Sequence, residues 1–392
     1  MPQPATRDTQ VIPLRPKREV LPLETLLAEI TARREEFDRL HHVPRDMVAT
    51  MKRAGIYRAS TPRCFGGDAL PPHVFLRTVE RIAEVDGSAG WVAAFGSANI
   101  YLASLPYDTQ AEIYATGPNQ VFAGGLYPMH PATPEPGGWR VTGQWHFASG
   151  CMGADWIGVG LGVENPAQTP VLIPRMGVSR ASEVEIVETW NVVGMQGTGS
   201  HDTSVTNKFY PQAWTCSRHD PGVIDEPLYR YPALAYQAQV HAVCNLGLAR
   251  AALDLVLSMS GVTATNTGAP RLADRPYFRI ELARSEAQLR AARAFFYETA
   301  EQAWDMLLAG DPVPQDHNNL LRLSATHAAH TGADVIRTAY RIAGLGAIYD
   351  TNRLQRIVRD SMVVTQHAFL NEGTFDGAGA LLAGIRPAMP YP

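Results

Sequence analysis

The sequence predicts an α+β protein in three parts: a helical N-terminal part, a β middle, and a helical bundle at the C-terminal end. Three observations carry this. Apolar residues recur at helical spacing in the first third and again from about residue 232 onward. Between about 118 and 215, glycine and proline recur at short intervals around short β-branched and aromatic runs, which is the pattern of strands joined by turns. Charged residues make up only 18% of the 392 residues, against roughly 25% in an average soluble domain. Much of this chain is therefore destined for a core, or for faces covered by other subunits.

Residues 1–20 hold Pro2, Pro4, Pro13 and Pro16 among Arg7, Arg15, Lys17 and Arg18, without an apolar stretch. They read as a flexible arm and not as a targeting sequence. The N-terminal helical domain is expected over 21–117. Leu23, Leu26, Leu27, Ile30 and Phe37 mark an amphipathic helix over 22–40. Pro44 opens a short helix with Met47, Val48 and Met51 on one side and Gly55 as its stop. Residues 72–86 form another helix, and a last one spans about 108–116. Between Asp86 and Asp108 there is no charge, over the ~20 residues a membrane span requires. Ser88, Ser97, Asn99, Ser104, three glycines and Pro106 interrupt that stretch. It is expected to be a buried helix, and no membrane association is expected.

The middle β domain, of barrel or sandwich type, is expected over 118–225, with strands at Trp139–Val141, Trp156–Leu161, Val171–Ile173 and Val205–Tyr210. The C-terminal domain is expected over 226–392 as a four-helix bundle. Ala-rich sequence runs to Met259, and a second helix starts near Pro276 with Leu282, Leu289 and Phe296 at seven-residue intervals. Two more helices, 316–343 and 351–370, are split at Gly344-Leu345-Gly346. Glycines and prolines fill the tail.

Composition excludes several functions. With 34 Lys and Arg against 38 Asp and Glu, the net charge of −4 lacks the basic field that phosphate neutralisation needs, so no nucleic-acid partner is expected. Cys64, Cys151, Cys216 and Cys244 have no CxxC spacing, which points to a reducing cytoplasm. His201, His241, His327 and His330 lack ligand-type partners at metal spacing, so they are expected to be structural or exposed and no metal is expected. No G-x-G-x-x-G follows a strand, so the usual nicotinamide-binding word is missing.

Three places carry side chains suited to chemistry. Trp145, Phe147 and Ser149 alternate along one predicted strand, which puts two aromatics and a hydroxyl on one face. A plain core strand with a satisfied serine is the other reading. Gly197-Thr198-Gly199-Ser200 offers backbone N–H groups and two hydroxyls in a tight turn, or a simple hairpin. His367 lies on the last long helix, on the face of Arg359 and Val363. It is either a working imidazole or a histidine of the core or of a subunit contact.

The three-part layout resembles the acyl-CoA dehydrogenase fold, and particular words match one branch. Gly138-Trp139-Arg140-Val141-Thr142-Gly143-Gln144-Trp145-His146-Phe147-Ala148-Ser149-Gly150 is similar to its flavin-site segment. Trp190-Asn191-Val192-Val193-Gly194-Met195-Gln196-Gly197-Thr198-Gly199-Ser200 resembles its second β-domain motif. Gly344-Leu345-Gly346-Ala347-Ile348-Tyr349, then Leu354-Gln355-Arg356, Arg359-Asp360 and His367, resemble its C-terminal helical signature. The branch is the two-component, group D flavin-dependent monooxygenases. It includes the oxygenase components of 4-hydroxyphenylacetate and seco-steroid hydroxylases and dibenzothiophene monooxygenase. The resemblance runs from about residue 20 to 385.

The resemblance implies an oxygenase that takes FMNH2 or FADH2 from a separate NAD(P)H:flavin reductase. With O2 as co-substrate it would form a C4a-hydroperoxide and hydroxylate a small aromatic substrate. Ser149 would serve flavin N5, and His367 would stabilise the flavin peroxide or act as a base. Trp145, Phe147, Thr198 and Ser200 would line the flavin, while Arg275, Phe278 and Gly346 would contact it across a subunit boundary. Trp91, Asn99 and His130 would line the substrate pocket, with Asn99 where several relatives carry a histidine. The assembly implied is a homotetramer in the cytoplasm. N- or S-oxygenation by the same parts is an alternative, and so is an acyl-CoA dehydrogenase. Counted from Arg359-Asp360, the dehydrogenase base falls on Ala368, which cannot act as one, although Asn371-Glu372-Gly373-Thr374 echoes the dehydrogenase word four residues late.

Overall fold

A computed structural model describes residues 20–163, 174–218, 220–261, 270–387 and 391. The expected arm, apart from Val20, and the expected strand at 171–173 lie outside the described residues.

Helix starts follow the prolines. Among the described residues seven helices begin on or just after one: α1 (Leu23–Leu40), α2 (Arg45–Arg53), α3 (Pro72–Val85) and α6 (Tyr107–Ile113) in the N-terminal part, then α7 (Ala233–Met259), α8 (Pro276–Ala309) and α9 (Gln315–Ala343). Proline costs nothing there, because the first turn has no partner for its missing N–H and needs its fixed φ. Between α3 and α6 lie α4 (Gly87–Ala94) and α5 (Asn99–Leu102). Asp86, Asn352 and Asn371 instead cap α4, α10 (Arg353–Gln366) and α11 (Glu372–Leu382) through their side chains.

The uncharged 87–105 stretch is buried, yet it is not one helix. A 3₁₀ turn at Phe95–Ser97 separates α4 from α5. There Ser60 Oγ donates to Gly96 O at 2.5 Å, and Gly96 packs so close to the Ile56 carbonyl that a Cβ would collide with it.

Among the described residues the strands fall into two four-stranded sheets. One has the order β1 (Phe122–Pro131), β4 (Trp156–Gly162), β5 (Arg175–Arg180), β8 (Thr215–Cys216), with β1 and β4 parallel. The other has the order β2 (Thr133–Glu135), β3 (Gly138–Trp145), β7 (Asp202–Pro211), β6 (Glu185–Val187) and is antiparallel throughout. Trp145, fully buried, joins the sheets by donating its indole N–H to Gly160 O at 2.8 Å.

In the C-terminal part, α9 packs on α7 and α8, α10 on both α7 and α9, and α11 on α9. Helix α7 also supports α3 and α4. Among the described residues only α7 is long and apolar enough to cross a membrane by length and composition, and 67% of that window is buried inside the fold. The expected 351–370 helix ends at Gln366, because His367 turns extended (φ −63°, ψ 139°). This puts His367 at a helix end and not within a helix.

Candidate active site

The site begins where β3 stops. After Trp145 the backbone leaves the strand, and Phe147 takes φ +64°, a region unfavourable for a bulky residue. Alternation therefore fails. Trp145 points into the core while Phe147 is 68% exposed, so the expected common face of Trp145, Phe147 and Ser149 does not exist. The reason is local. The Ala148 and Gly150 N–H groups donate to His201 O and Thr198 O, both at 2.9 Å, and strap segment 147–150 along the 198–201 loop instead of continuing β3.

That strap aligns three hydroxyls. Ser149 Oγ lies 2.7 Å from Ser200 Oγ, which lies 2.7 Å from Thr198 Oγ1. Thr198 donates to Met195 O at 2.9 Å. A carbonyl only accepts, so the direction of the chain follows: Ser149 donates to Ser200 and Ser200 to Thr198. Trp91 Nε1–H donates to Ser149 Oγ at 3.1 Å. The Ser149 proton is thus committed, and the oxygen keeps a lone pair for a further donor.

The loop carrying this ladder is held by α10. Met195 N–H donates to Asp360 Oδ1 at 2.5 Å, and a Cβ at Gly194 would meet Arg359 O. Arg356 binds Asp86 at 2.7 Å and Asp38 at 2.9 Å, and lies 3.7 Å from Asp360. Burial pushes the Asp360 carboxyl up to about 7, while Arg356 and the Met195 N–H pull against that rise.

Two imidazoles form a second wall, against the ring of Trp91. His367 stacks on His241 of α7 with ring centroids 4.6 Å apart and planes 11° from parallel. The Trp91 ring meets both edge-on, at 4.3 Å from His241 and 5.5 Å from His367. His241 Nδ1–H donates to Gln237 O at 2.5 Å. Burial holds its pKa down to about 4. His367 is held well below its ordinary value, by burial first and then by His241, Arg218 and Arg322. Both rings are neutral near pH 7. His367 Nδ1 accepts from Phe369 N–H at 3.3 Å, so its proton sits on Nε2. In this arrangement it is a hydrogen-bond donor, and the base role is not set up.

The profile of the family described as acyl-CoA dehydrogenase, C-terminal domain, matches residues 239–372. The chain is similar to an indole-3-acetate monooxygenase of Pseudomonas putida, 48% identical over 92% of each chain. It belongs to the flavin-dependent monooxygenases of the acyl-CoA dehydrogenase fold. A solved structure, the HsaA monooxygenase from M. tuberculosis, superposes with a TM-score of 0.86 at 26% identity, over 94% of this chain and 98% of that one. The oxygenase component of an FADH2-dependent resorcinol hydroxylase from a Rhizobium species is 26% identical over 90% of this chain and 91% of its own. As a monooxygenase of this family, the chain works with reduced flavin.

The residues present suit a flavin. Phe147, exposed and strained, meets Trp190 edge-on at 6.3 Å, leaving an aromatic surface open beside a hydroxyl ladder with a free acceptor. A flat ring system with an N–H edge satisfies both. Other expected site residues sit elsewhere. Trp145 lies beneath this wall, with its N–H spent on Gly160. His130 packs edge-on to Trp145 and bonds the Gln144 backbone. Asn99 donates to Tyr57 O and Thr61 Oγ1, both at 2.9 Å, inside the N-terminal core. Arg275 stands just before α8 and bonds Pro270 and Tyr277, Phe278 is buried one turn on, and Gly346 is exposed in the α9–α10 turn. Glu372 is 85% exposed beside His330, so the dehydrogenase reading finds no buried base at that position.

His241, expected to be structural or exposed, is buried against Trp91 and His367, and the sequence reading did not single out Arg218 and Arg322, whose charges act on His367. His241 had a signal, being the one ionisable imidazole in the uncharged run from Pro232 to Ala249. So did Arg322, an arginine set between leucines in Leu320-Leu321-Arg322-Leu323.

Proposed function

We propose that this monooxygenase binds reduced flavin against the hydroxyl ladder and hydroxylates a small aromatic compound held between that ladder and the His241–His367 stack. The observation that carries this reading is the direction of the ladder. Ser149 offers an acceptor, which suits the N5–H of reduced flavin; the oxidised form has no hydrogen there. Trp91 fixes that hydroxyl with one edge and the two imidazoles with its ring. His367 Nε2–H then holds an oxygen atom in place as a donor.

Reduced flavin, when bound, supplies two electrons to O2. One oxygen atom enters a substrate C–H bond and the other leaves as water with the two hydrogens of the reduced flavin, so the reaction balances. A separate reductase supplies the flavin, in keeping with the missing nicotinamide-binding word. The name of the Pseudomonas putida relative makes indole-3-acetate the first substrate to try.

The assembly we propose is a homotetramer. Tyr277 and Ile280 at the start of α8, and Leu345, Ile348 and Tyr349 in the α9–α10 turn, are all exposed, Leu345 to 80%. The Arg341–Glu281 ion pair ties the two segments together at 2.5 Å, so their apolar surface is continuous enough to seek cover. Light scattering should give a mass near four times 42.8 kDa.

The deciding experiment supplies chemically reduced FMN or FAD, ¹⁸O2 and a panel of aromatic substrates to the purified protein. Mass spectrometry should find one ¹⁸O atom in the product. Hydrogen peroxide as the sole oxygen product, together with bleaching of oxidised flavin by an acyl-CoA, would return the chain to the dehydrogenases.

A further inference from the structure

Partly buried arginines elsewhere among the described residues are matched with partners. Arg356 has three carboxylates, Arg353 donates to two backbone carbonyls at 2.6 Å, and Arg293 binds Glu80 at 2.7 Å. Two arginines beside the histidine wall break this pattern. Arg322, on the inner face of α9, is only 4% exposed. Its Nε has no partner, and among the described residues no carboxylate pairs with its guanidinium. Arg218, just after β8, has a buried Nε in the same condition.

The two groups converge. The Arg218 guanidinium carbon lies 5.8 Å from the Phe369 ring centroid and that of Arg322 lies 5.7 Å from it. Tyr101 flanks Arg218 at 5.0 Å and Tyr391 flanks Arg322 at 4.9 Å. Phe369 in turn meets His367 edge-on at 5.1 Å. Arg218 also borders a cleft of about 680 Å³ that opens beside the α8–α9 turn, so Arg218 is not sealed off from solvent.

A guanidinium stays charged inside a protein. Burial lowers the pKa of Arg322 from its usual value, and among the described residues only Tyr391 and Tyr101 pull against that effect. Aromatic faces compensate only in part. An unpaired buried cation is a standing cost to the fold, and it is relieved when a planar anion arrives, since carboxylate geometry matches the guanidinium fork.

We infer that Arg322 and Arg218 are the seat for the carboxylate of an aromatic acid, and that they set the pocket's choice of substrate. The inference rests on the oxygenase reading above, because that reading supplies the pocket. An acid lying across Phe369 puts its ring toward Trp91 and His367, and its charge away from the hydroxyl ladder.

Calorimetric titration of the flavin-loaded protein with indole-3-acetate and with its neutral isostere indole-3-acetamide tests this. The wild type should bind the acid about 10-fold or more tightly than the amide, the worth of a charged hydrogen bond. Arg322→Met should weaken acid binding by about 30-fold or more and leave amide binding within a factor of about two. Arg218→Met, at a less buried position, should show the same selectivity with a smaller loss. Without ligand, Arg322→Met should melt at or above the wild-type temperature, because it removes an unpaired buried charge. Equal losses for acid and amide, or a wild type indifferent to the charge, would overturn the seat. If instead neither compound were oxygenated under reduced flavin while the acid preference held, the oxygenase reading would fail and the seat would stand.

Discussion

The two walls that meet at Trp91 are finished to different degrees. On the hydroxyl wall each proton has an assigned acceptor, from Trp91 through Ser149, Ser200 and Thr198 to Met195 O. On the other wall the imidazoles are neutral, and among the described residues the two arginines beyond them have no carboxylate partner. The wall that meets the reagent common to every turnover is complete before anything binds. The wall that meets the variable reactant is left unsaturated, and the reactant completes it. Preorganisation suits the first task, since nothing then has to reorganise as the chemistry begins. Unsatisfied charge suits the second, since it rejects molecules that cannot satisfy it.

The sharpest way to break this contrast is at His367. His367→Ala should slow product formation by 10²–10⁴-fold, the usual worth of a positioned proton-handling group, with reduced-flavin affinity changed by no more than about 3-fold. Single-turnover product analysis beside a flavin titration would show it. Parallel collapse of both quantities would mean the two walls share one job.

His241 tests whether the imidazole wall is buried in the neutral state. The unfolded chain takes up a proton on this residue below about pH 6.5, whereas the folded protein resists until about pH 4. Stability from this residue is therefore full above pH 6.5 and is lost as pH falls toward 4, at up to about 1.4 kcal/mol per pH unit. His367, depressed in the same direction, adds a second proton to the slope. Urea unfolding from pH 7 to 4 should show His241→Gln with a shallower acid decline than wild type. Identical slopes would remove His241 from the buried neutral pair.

The smallest effect is expected at Ser149. Ser149→Ala strands the Trp91 N–H and takes a donor from Ser200, costing about 1 kcal/mol of stability. Flavin binding should persist, with less product per flavin oxidised and more free H2O2, as a peroxide assay would measure. Unchanged coupling would leave Ser149 as scaffolding only.

Much of this was legible in the chain itself. Prolines and spacing located the helices, and the texture between 118 and 215 located the sheets. The words around Ser149, Thr198, Ser200 and His367 marked residues that the fold does bring to one place, joined by Trp91. What could not be read was direction. Period-two alternation assumed that the strand ran on through Phe147, and only the strap between Ala148, Gly150 and the 198–201 loop shows that it stops. Nor does spacing reveal that His241 and His367, 126 positions apart, face each other, or that Arg218 and Arg322 share one phenyl ring. Those pairings depend on how α7, α9 and α10 cross, which one-dimensional patterns do not encode.

Asp360 has a further consequence. It fastens the Met195 loop to the same helix whose last turn delivers His367, so the jaws of the pocket are cut from one piece and their spacing is set by a single clamp. The arginines stand outside that clamp, on α9 and on the strand of chain after β8. A descendant of this protein could exchange them for other side chains, and so change what it consumes, without disturbing the gap in which oxygen is handled.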